Sequence, residues 1–378
     1  MTPAEVADWL EIHAHRAGDM PVAVGFDAFV DEVQEVVGTR TDPEAYRPLE
    51  TIAEFSAWTA ASAGRSGLRE VVTKARTMGG CAVNSGDGLA TLGFPVAALA
   101  GVGAPMDPVF TPFSTICRSL DALGMDPGRS TVYEFCDGKI MLCSVAHLAR
   151  FSPTLLEQPA ILARLREIFN GSAGILLTAW SVYPHMTACW RFIQREVLAG
   201  NSGHPRLLLD LADPASRSIA DLHDLVDALA GFNASGPTTL SLNGNEANRL
   251  ALALGHQQAD PDDLISIEGL ARTLHQVLGI DEVGIHTIRT ATAANSQGVL
   301  TVLGPHCPRP LRSVGAGDRF NAGWLAGHLL GLPHDGRLHM ACAVSGFFVR
   351  TARSPQLNEL IPFLRHWAAG TLDQPELP

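Results

Sequence analysis

The 378-residue sequence lacks several patterns that mark common protein classes. It has no C-x-x-C pair and no H-x-x-x-H or H-E-x-x-H spacing, so we expect neither a structural zinc site nor a transition-metal centre. Its seven cysteines are scattered and odd in number, which argues against a disulfide framework. No apolar run approaches the ~20 residues that a membrane-spanning helix needs. The acidic segment from Met1 to Met20 does not resemble a secretory signal, so we expect a cytoplasmic protein without membrane contacts.

Positive charge is also scarce, since 39 acidic side chains outnumber 27 Lys and Arg and give a net charge of −12. This balance argues against a surface that binds nucleic acid. No G-x-G-x-x-G follows the first apolar strand, which disfavours a Rossmann dehydrogenase. Apolar residues make up 46% of the chain, enough for a large core, and the length suits one large α/β domain. We therefore predict a single domain over residues 1–378.

Short apolar segments alternate with segments of helical periodicity through the second half of the chain. Such alternation predicts a mainly parallel sheet that is covered by helices on both faces. In the first half, Asp137-Gly138 lies between two β-rich segments and predicts a hairpin within 130–146. The spacing of apolar residues predicts helices at 51–63, 68–77 and 107–123.

The most informative segment runs from Ser313 to Gly323 and has the sequence S-V-G-A-G-D-R-F-N-A-G. Phe320 and Trp324 begin a helical apolar repeat, so the glycines predict a turn into a helix with Asp318 in its first turn. The first N–H groups of a helix have no internal partners and form an anion site together with the helix dipole. A carboxylate there is badly placed to bind phosphate. It is well placed to accept a proton from a hydroxyl that attacks the phosphate.

A second glycine pair, Gly79-Gly80, precedes another predicted helix, with Asn84 about one turn inside it. Gly80 lets a ligand approach the backbone, and the amide of Asn84 can donate and accept hydrogen bonds. Asp27 and Asp31 follow the first strand. Ligands of open α/β sheets bind beyond the carboxyl ends of strands, so either acid can accept hydrogen bonds from a ligand. An exposed strand face with alternating acids is the alternative interpretation.

The segment Asn243-Gly244-Asn245-Glu246 lies between a predicted strand and a predicted helix. Asn243 can cap the helix, with Glu246 completing a capping box. A carboxylate near a polyphosphate can also hold Mg²⁺, directly or through water. The two roles can coexist.

The two glycine-rich motifs resemble the signatures of the PfkB family of carbohydrate kinases, also called the ribokinase-like family. The C-terminal signature, D-T-x-G-A-G-D-x-F, is matched at Gly315, Ala316, Gly317, Asp318 and Phe320, with Ser313 in place of the Thr and Arg312 in place of the first Asp. The N-terminal signature, G-G-x-x-x-N followed by L-G, is matched at Gly79, Gly80, Asn84, Leu92 and Gly93. An N-x-x-E motif is matched at Asn243 and Glu246, and a T-x-G turn is matched at Thr287, with Arg289 in place of the glycine.

The resemblance implies a ribokinase-like three-layer α/β/α sandwich with a mainly parallel central sheet and a small β lid, whose strands we expect within 27–45 and 130–146. It implies transfer of the γ-phosphate of ATP to a hydroxyl of a carbohydrate or sugar-like substrate. Asp318 would be the catalytic base, and the N–H groups of Gly315, Ala316 and Gly317 would form an anion hole.

The resemblance also implies binding residues for both substrates. For the sugar these are Asp31 as first choice, then Asp27, Gly79, Gly80 and Asn84. For the nucleotide they are Asn243, Glu246, Thr287, Ser313, Gly315 and Gly317. Glu246 would hold Mg²⁺ through water, and a homodimer that pairs through the lids is a further expectation.

Three alternative functions fit the same motifs. A nucleoside kinase of the same family would carry the same signatures. His286-Thr287 and the long 40–78 segment resemble ADP-dependent sugar kinases, which leaves ATP or ADP as the donor. A sugar- or nucleotide-sensing protein without catalysis is suggested by Arg312 and Arg289, although the retained Asp318 argues against it. Arg312 also leaves potassium dependence open, and Arg289 and Arg312 are candidate cations for the phosphoryl group.

Overall fold

The computed structural model describes residues 1–372 and contains two sheets; residues 373–378, the end of the predicted domain, lie outside the described residues. The strands are β1 (Val22–Phe26), β2 (Phe29–Arg40), β3 (Tyr46–Pro48), β4 (Val71–Gly79), β5 (Val96–Ala100), β6 (Ser119–Ala122), β7 (Gly128–Phe135), β8 (Gly138–Ser144), β9 (Gly174–Leu177), β10 (Arg206–Asp210), β11 (Thr238–Asn243), β12 (Glu282–His286), β13 (Thr290–Asn295) and β14 (Gly298–Leu303).

Helices connect these strands and cover the larger sheet. They are α1 (Pro3–His13), α2 (Ile52–Ala61), α3 (Cys81–Thr91), α4 (Thr111–Ile116), α5 (Pro153–Leu156), α6 (Pro159–Asn170), α7 (Met186–Ile193), α8 (Ile219–Gly231), α9 (Gly244–Ala253), α10 (Leu264–Leu278), α11 (Ala316–Leu329), α12 (His334–Thr351) and α13 (Leu357–Ala368). In the described residues, no helix is both long and apolar enough to cross a bilayer.

The larger sheet has nine strands in the order β14-β13-β12-β11-β10-β9-β1-β5-β6. From β6 to β12 all neighbouring strands are parallel, while β13 and β14 add an antiparallel edge. Every residue of β1, β5 and β9 is buried, as expected of parallel strands that are covered on both faces. The predicted mainly parallel sheet is confirmed.

Two hydrophobic cores lie on opposite faces of this sheet. One contains Val83 of α3, Trp324 of α11 and Leu360 of α13, and the other contains Phe169 of α6 and Trp190 of α7. Burial of such large apolar side chains on both faces holds the helices against the sheet. The predicted three-layer α/β/α arrangement is confirmed.

The smaller sheet has five strands, with β3-β2-β7-β8 in order and β4 paired to β2. It begins directly after the central strand β1, because Asp27 and Ala28 alone separate β1 from β2. The predicted hairpin is present as β7 and β8, which meet at the Asp137-Gly138 turn. A separate small sheet beside the carboxyl ends of the central strands fits the predicted lid.

Two helix predictions in the first half of the chain are wrong. Residues 68–77 form most of strand β4, because Val71, Val72 and Thr73 favour extended backbone and pair with β2. The predicted helix at 107–123 is broken: α4 covers Thr111–Ile116, and β6 then adds to the central sheet beside β5. Helix α2 lies within the predicted 51–63 segment and begins with a capping box between Thr51 and Glu54.

Candidate active site

Polar side chains from several parts of the sequence meet at one edge of the central sheet. Asp27 follows β1, Asp210 ends β10, Asn243 ends β11 and His286 ends β12. Because these strands are parallel, their carboxyl ends lie at the same edge. Helix α11 also begins there, since Asn321 of α11 donates to Asp210 at the end of β10, and Asn84 of α3 donates to Asp318 of α11.

Asp318 is the third residue of α11 and is 9% exposed. The Asn84 side-chain amide donates to its Oδ2 at 2.8 Å, and the Ser85 hydroxyl donates to its backbone carbonyl at 3.1 Å. Burial, together with the nearby negative charge of Asp210, raises the pKa of Asp318 to about 7. A carboxyl group with this pKa can accept a proton near neutral pH, which is the property of a general base.

The loop before α11 forms the predicted turn into a helix. Gly315 caps the helix with a φ of 87°, a left-handed conformation that glycine adopts without strain. The Ala316 N–H donates to the Ser313 carbonyl at 3.2 Å. Among the described residues, the N–H groups of Gly315 and Gly317 have no such partner. Of the three predicted donors, these two are the ones open to a ligand.

Asp31 lies on β2 of the small sheet and is buried. Burial raises its pKa, while a hydrogen bond from Ser130 and the positive charges of Arg312 and Lys139 act in the opposite direction. Gly79 of β4 packs directly against the Asp31 carboxylate, and a Cβ at position 79 would overlap it. Gly79 therefore has a defined steric reason to be glycine, and two cationic side chains, Arg312 and Lys139, act on Asp31.

Asp27 has a different environment from Asp31. It accepts hydrogen bonds from the backbone N–H groups of Cys81 at 2.5 Å and Ala82 at 2.9 Å, and from the Thr178 hydroxyl at 2.7 Å. Both carboxylate oxygens are therefore engaged. Gly80 adopts a φ of 98° just before these N–H groups. This geometry favours a role in anchoring the start of α3 over the predicted contact with sugar hydroxyls.

A cavity of about 840 Å³ lies on the other side of the Gly315–Gly317 loop. Four residues predicted to bind nucleotide contribute to its wall: Asn243, Thr287, Ser313 and Gly317. The wall also contains His286, Arg289, Phe320 and the small residues of α12 around Gly346. The volume is within the range of pockets that hold a cofactor-sized ligand.

The predicted capping box at the start of α9 is present. The Asn243 Oδ1 accepts from the Glu246 N–H at 3.0 Å, while the backbone N–H and side-chain amide of Asn243 donate to the Glu246 carboxylate at 2.8 and 2.7 Å. Thr287 has a similar local role, because its hydroxyl accepts from the Thr290 N–H at 3.1 Å and closes the turn between β12 and β13. Both motifs have structural roles that do not prevent contact with a ligand.

Three buried carboxyl groups, those of Asp210, Glu246 and Asp318, lie close enough to affect one another electrostatically. Burial and the charge of Asp210 raise the pKa of Glu246 well above its usual range, and burial raises the pKa of Asp210 to about 6 and that of Asp318 to about 7. A cation would relieve this mutual repulsion. Asn321 donates to Asp210 at 2.7 Å and leaves its own buried Oδ1 without a partner among the described residues. This oxygen-rich set fits Mg²⁺.

Mg²⁺ would not be held by side chains alone. Within residues 1–372, no group of three or more His, Cys, Asp or Glu side chains has the spacing of a metal site. Mg²⁺ commonly retains several waters and takes further ligands from substrate phosphates. The chemistry therefore suits an ion that contacts Asp210 or Glu246 through water.

Some residues of the site were not singled out from the sequence. Lys139 of β8 donates to the Ser313 hydroxyl at 3.3 Å, and burial lowers its pKa. Arg319, which occupies a variable position of the C-terminal signature, is buried behind the loop. Asp210 could have been found, because an acid at the end of a buried strand is a local signal. Nothing local marks Lys139, whose contact spans 174 positions.

The two predicted cations lie in different places. The Arg312 guanidinium lies 5.7 Å from the centre of the Phe348 ring, and its charge acts on Asp31. Arg289 lies in the wall of the 840 Å³ cavity. Arg312 is thus near the predicted sugar side, and Arg289 is near the predicted nucleotide side.

Comparison with known proteins is consistent with this geometry. A family model described as prokaryotic ketohexokinase matches residues 2–367. The chain belongs to this family. A ketohexokinase from Haloferax volcanii is 28% identical over 356 residues, which cover 93% of this chain and 92% of that protein. The prediction of a PfkB-family carbohydrate kinase, a phosphotransferase acting on a sugar hydroxyl, is therefore confirmed.

Solved structures of ribokinase-like proteins share the fold of this ketohexokinase-family chain. Arabidopsis thaliana ribokinase complexed with ribose and ATP has a TM-score of 0.64 at 17% identity and covers 92% of this chain and 99% of its own. A putative ribokinase II from E. coli in complex with ATP and Mg²⁺ has a TM-score of 0.61 at 16% identity, with the same coverage of both chains. At these identities the similarity establishes the fold alone.

Proposed function

We propose that this chain transfers the γ-phosphoryl group of ATP to a hydroxyl of a ketohexose, with Asp318 as the catalytic base. The observation that carries the assignment is Asp318 itself. Its carboxyl group has a pKa of about 7 and lies in the first turn of α11, directly after Ala316 and Gly317, which line a cavity of nucleotide size. The ketohexose class is supported by the matching family and by the Haloferax volcanii relative.

On the sugar side, Asp31 would accept hydrogen bonds from sugar hydroxyls, and the Asn84 amide would help to orient the attacking hydroxyl beside Asp318. Gly79 and Gly80 would form the floor of this pocket. Asp318 would remove the proton as the hydroxyl oxygen attacks the γ-phosphorus. Burial raises the pKa of Asp31, and the positive charges of Arg312 and Lys139 would oppose this effect and favour the ionised form that accepts hydrogen bonds.

On the nucleotide side, Asn243, Thr287 and Ser313 would contact ATP in the 840 Å³ cavity. The N–H groups of Gly315 and Gly317 would stabilise the negative charge on the transferring group, with Ala316 contributing once its bond to Ser313 is exchanged. ATP is favoured over ADP as donor because two structural neighbours are complexes with ATP.

Mg²⁺ would be held through water by Glu246 and Asp210, and it would neutralise charge on the donor phosphates. Positive side chains would add to this effect. Arg289 is placed for the nucleotide phosphates, while Lys139 and Arg312 lie near the Ser313 and Asp31 side of the transfer path.

The proposal extends to the organisation of the protein. It comprises one kinase domain in the cytoplasm, whose small sheet closes over the sugar and excludes water. A homodimer through the lids is supported by β8, an edge strand with exposed Met141 and Leu142. The net charge of −12 supports small-molecule substrates rather than nucleic acid as partners.

The test is a panel of D-fructose and other ketohexoses, aldohexoses, ribose and nucleosides, each with ATP or ADP and Mg²⁺. We expect phosphorylated product mainly from a ketohexose with ATP. Asp318→Asn should lower kcat about 1,000-fold while leaving the Kd for ATP nearly unchanged. Asp213→Asn is a matched control, since Asp213 is an exposed acid near the same edge. Turnover of nucleosides alone, or an active Asp318→Asn variant, would contradict the proposal.

A further inference from the structure

A buried arginine lies directly behind the loop that begins α11. Arg319 follows Asp318 and is 3% exposed. Its Nη2 donates to Asp87 of α3 at 2.8 Å, and its Nε donates to the Ser354 hydroxyl at 3.2 Å. Ser354 in turn donates to Asp87 at 2.6 Å, and the guanidinium lies 4.5 Å from the centre of the Phe348 ring. The guanidinium is therefore fixed in position from three sides.

The remaining nitrogen of this guanidinium faces the loop. Arg319 Nη1 is buried and has no hydrogen-bond partner among the described residues. A Cβ built on Gly315 would lie 2.9 Å from this nitrogen. Nη1 thus packs against the loop at Gly315, next to the Asn84 amide, and any residue other than glycine at position 315 would press against it.

Burying the Arg319 guanidinium in this way lowers the stability of the folded protein. A buried guanidinium loses its hydration, and an N–H group without a partner adds to that loss. A single ion pair with Asp87 often does no better than apolar residues of similar volume. Arg319 therefore places a positive charge, at some expense in stability, behind the N–H groups that are proposed to face the phosphoryl group.

We propose that Arg319 is a positioning residue that supplies a fixed positive charge behind the Gly315–Gly317 loop and so stabilises charge on the transferring phosphoryl group without touching it. This inference rests on the proposed function. The charge adds to the positive end of the α11 dipole in a buried region, where such interactions are strong. It also acts on Asp318, because a nearby cation favours the ionised form of that carboxyl group and lowers its pKa.

A purely structural role predicts a different set of effects. Arg319 and Asp87 connect α11 to α3, so the pair could simply hold the two helices together. Arg319→Met removes the charge and keeps a long side chain over Phe348. Asp87→Asn removes the ion pair and keeps the positive charge. If Arg319 acts through its charge, Arg319→Met should be impaired and Asp87→Asn should remain active. If the pair only holds the two helices together, both variants should lose activity.

The experiment measures kcat, KM, the pH profile of kcat/KM and the Tm of both variants and of Arg319→Lys. Arg353→Met is the matched control, since Arg353 also pairs with an acid and stacks on a phenylalanine but is exposed. We expect Arg319→Met to lose about 100-fold in kcat with little change in the KM for sugar. The acid limb of its pH profile should move up by about one unit. Asp87→Asn and Arg319→Lys should stay within about tenfold of the parent kcat.

Wild-type kcat and pH profile in Arg319→Met would overturn the inference, as would equal losses of kcat in Arg319→Met and Asp87→Asn. If Arg319→Met does not fold, the other two variants decide: a folded variant that retains the charge and still loses about 100-fold in kcat contradicts the role. Calorimetric titration with Mg·ATP separates this result from failure of the proposed function. If the parent protein phosphorylates no sugar, the proposed function is rejected. Weaker ATP binding in Arg319→Met, but not in Arg353→Met, would still support the proposed role of the Arg319 charge.

Discussion

Replacing Asn84 with leucine tests how the chain sets the protonation state of its proposed base. The Asn84 amide donates to Asp318 Oδ2 at 2.8 Å in a buried site. This hydrogen bond favours the ionised carboxylate and so lowers the pKa of Asp318, opposing the effect of burial. Leucine has a similar shape and cannot donate. Asn84→Leu should therefore raise the pKa of Asp318.

The size of the effect follows from the strength of such a bond. A hydrogen bond to a charged group contributes about 1.5–3 kcal/mol, which corresponds to about one to two pKa units. The pKa of Asp318 is about 7 in the parent protein, so roughly half of the base is ionised at pH 7. A rise of one to two units would leave about one tenth to one hundredth ionised, and kcat/KM at pH 7 would fall about 5- to 50-fold.

The assay is the pH profile of kcat/KM between pH 5.5 and 9.5 with saturating Mg·ATP. Activity of Asn84→Leu should recover as the pH rises, because a higher pH ionises the base again. Ser85→Ala is the matched control, since Ser85 donates to the backbone carbonyl of Asp318 and not to its carboxylate. If kcat/KM of Asn84→Leu falls at the same acidic pH as that of the parent protein, the reasoning is refuted. This holds even if overall activity is lower because a sugar contact is lost.

Two further predictions concern the sugar pocket and the stability of the fold. Gly79→Ala should displace the Asp31 carboxylate and raise the KM for sugar about tenfold or more while leaving the Kd for ATP unchanged. Gly269→Ala is the control, because Gly269 lies in open space on α10. An unchanged KM in Gly79→Ala would contradict the role of Asp31. Burial lowers the pKa of His286, His328 and His339 to about 4. The unfolded chain binds these protons near pH 6.5, so the free energy of unfolding in urea should fall as the pH falls from 6.5 to 4, and a flat profile would exclude this linkage.

Local chemistry explains which features could be predicted from the sequence. Gly80 and Gly315 both adopt positive φ and begin helices, and the apolar repeats after them are strong signals for α3 and α11. The capping box of Asn243 and Glu246 is equally local. Features of this kind depend on residues within a few positions of each other, so a single sequence contains them.

Contacts between distant segments could not be predicted in the same way. The helix expected at 68–77 is a strand because β2 offers it a pairing partner, and the pairing outweighs the apolar spacing. The bond between Arg319 and Asp87 joins residues 232 positions apart, and neither residue has a local signal. The three hydrogen-bond partners of Asp27 are a further example, since they lie on α3 and after β9.

The small sheet carries side chains for both ends of the proposed reaction. Strand β2 carries Asp31 on the sugar side, and β8 carries Lys139, which reaches the Ser313 hydroxyl beside the Gly315–Gly317 loop. Because β2 and β8 both pair with β7, Asp31 and Lys139 belong to one hydrogen-bonded sheet. Under the proposed function, closure of this sheet over the sugar would also bring Lys139 toward the phosphoryl group, and sugar binding and charge stabilisation would be coupled through the sheet. Without Lys139 in place, water would have access to the Gly315–Gly317 loop. The coupling would therefore favour phosphoryl transfer to sugar over hydrolysis of ATP.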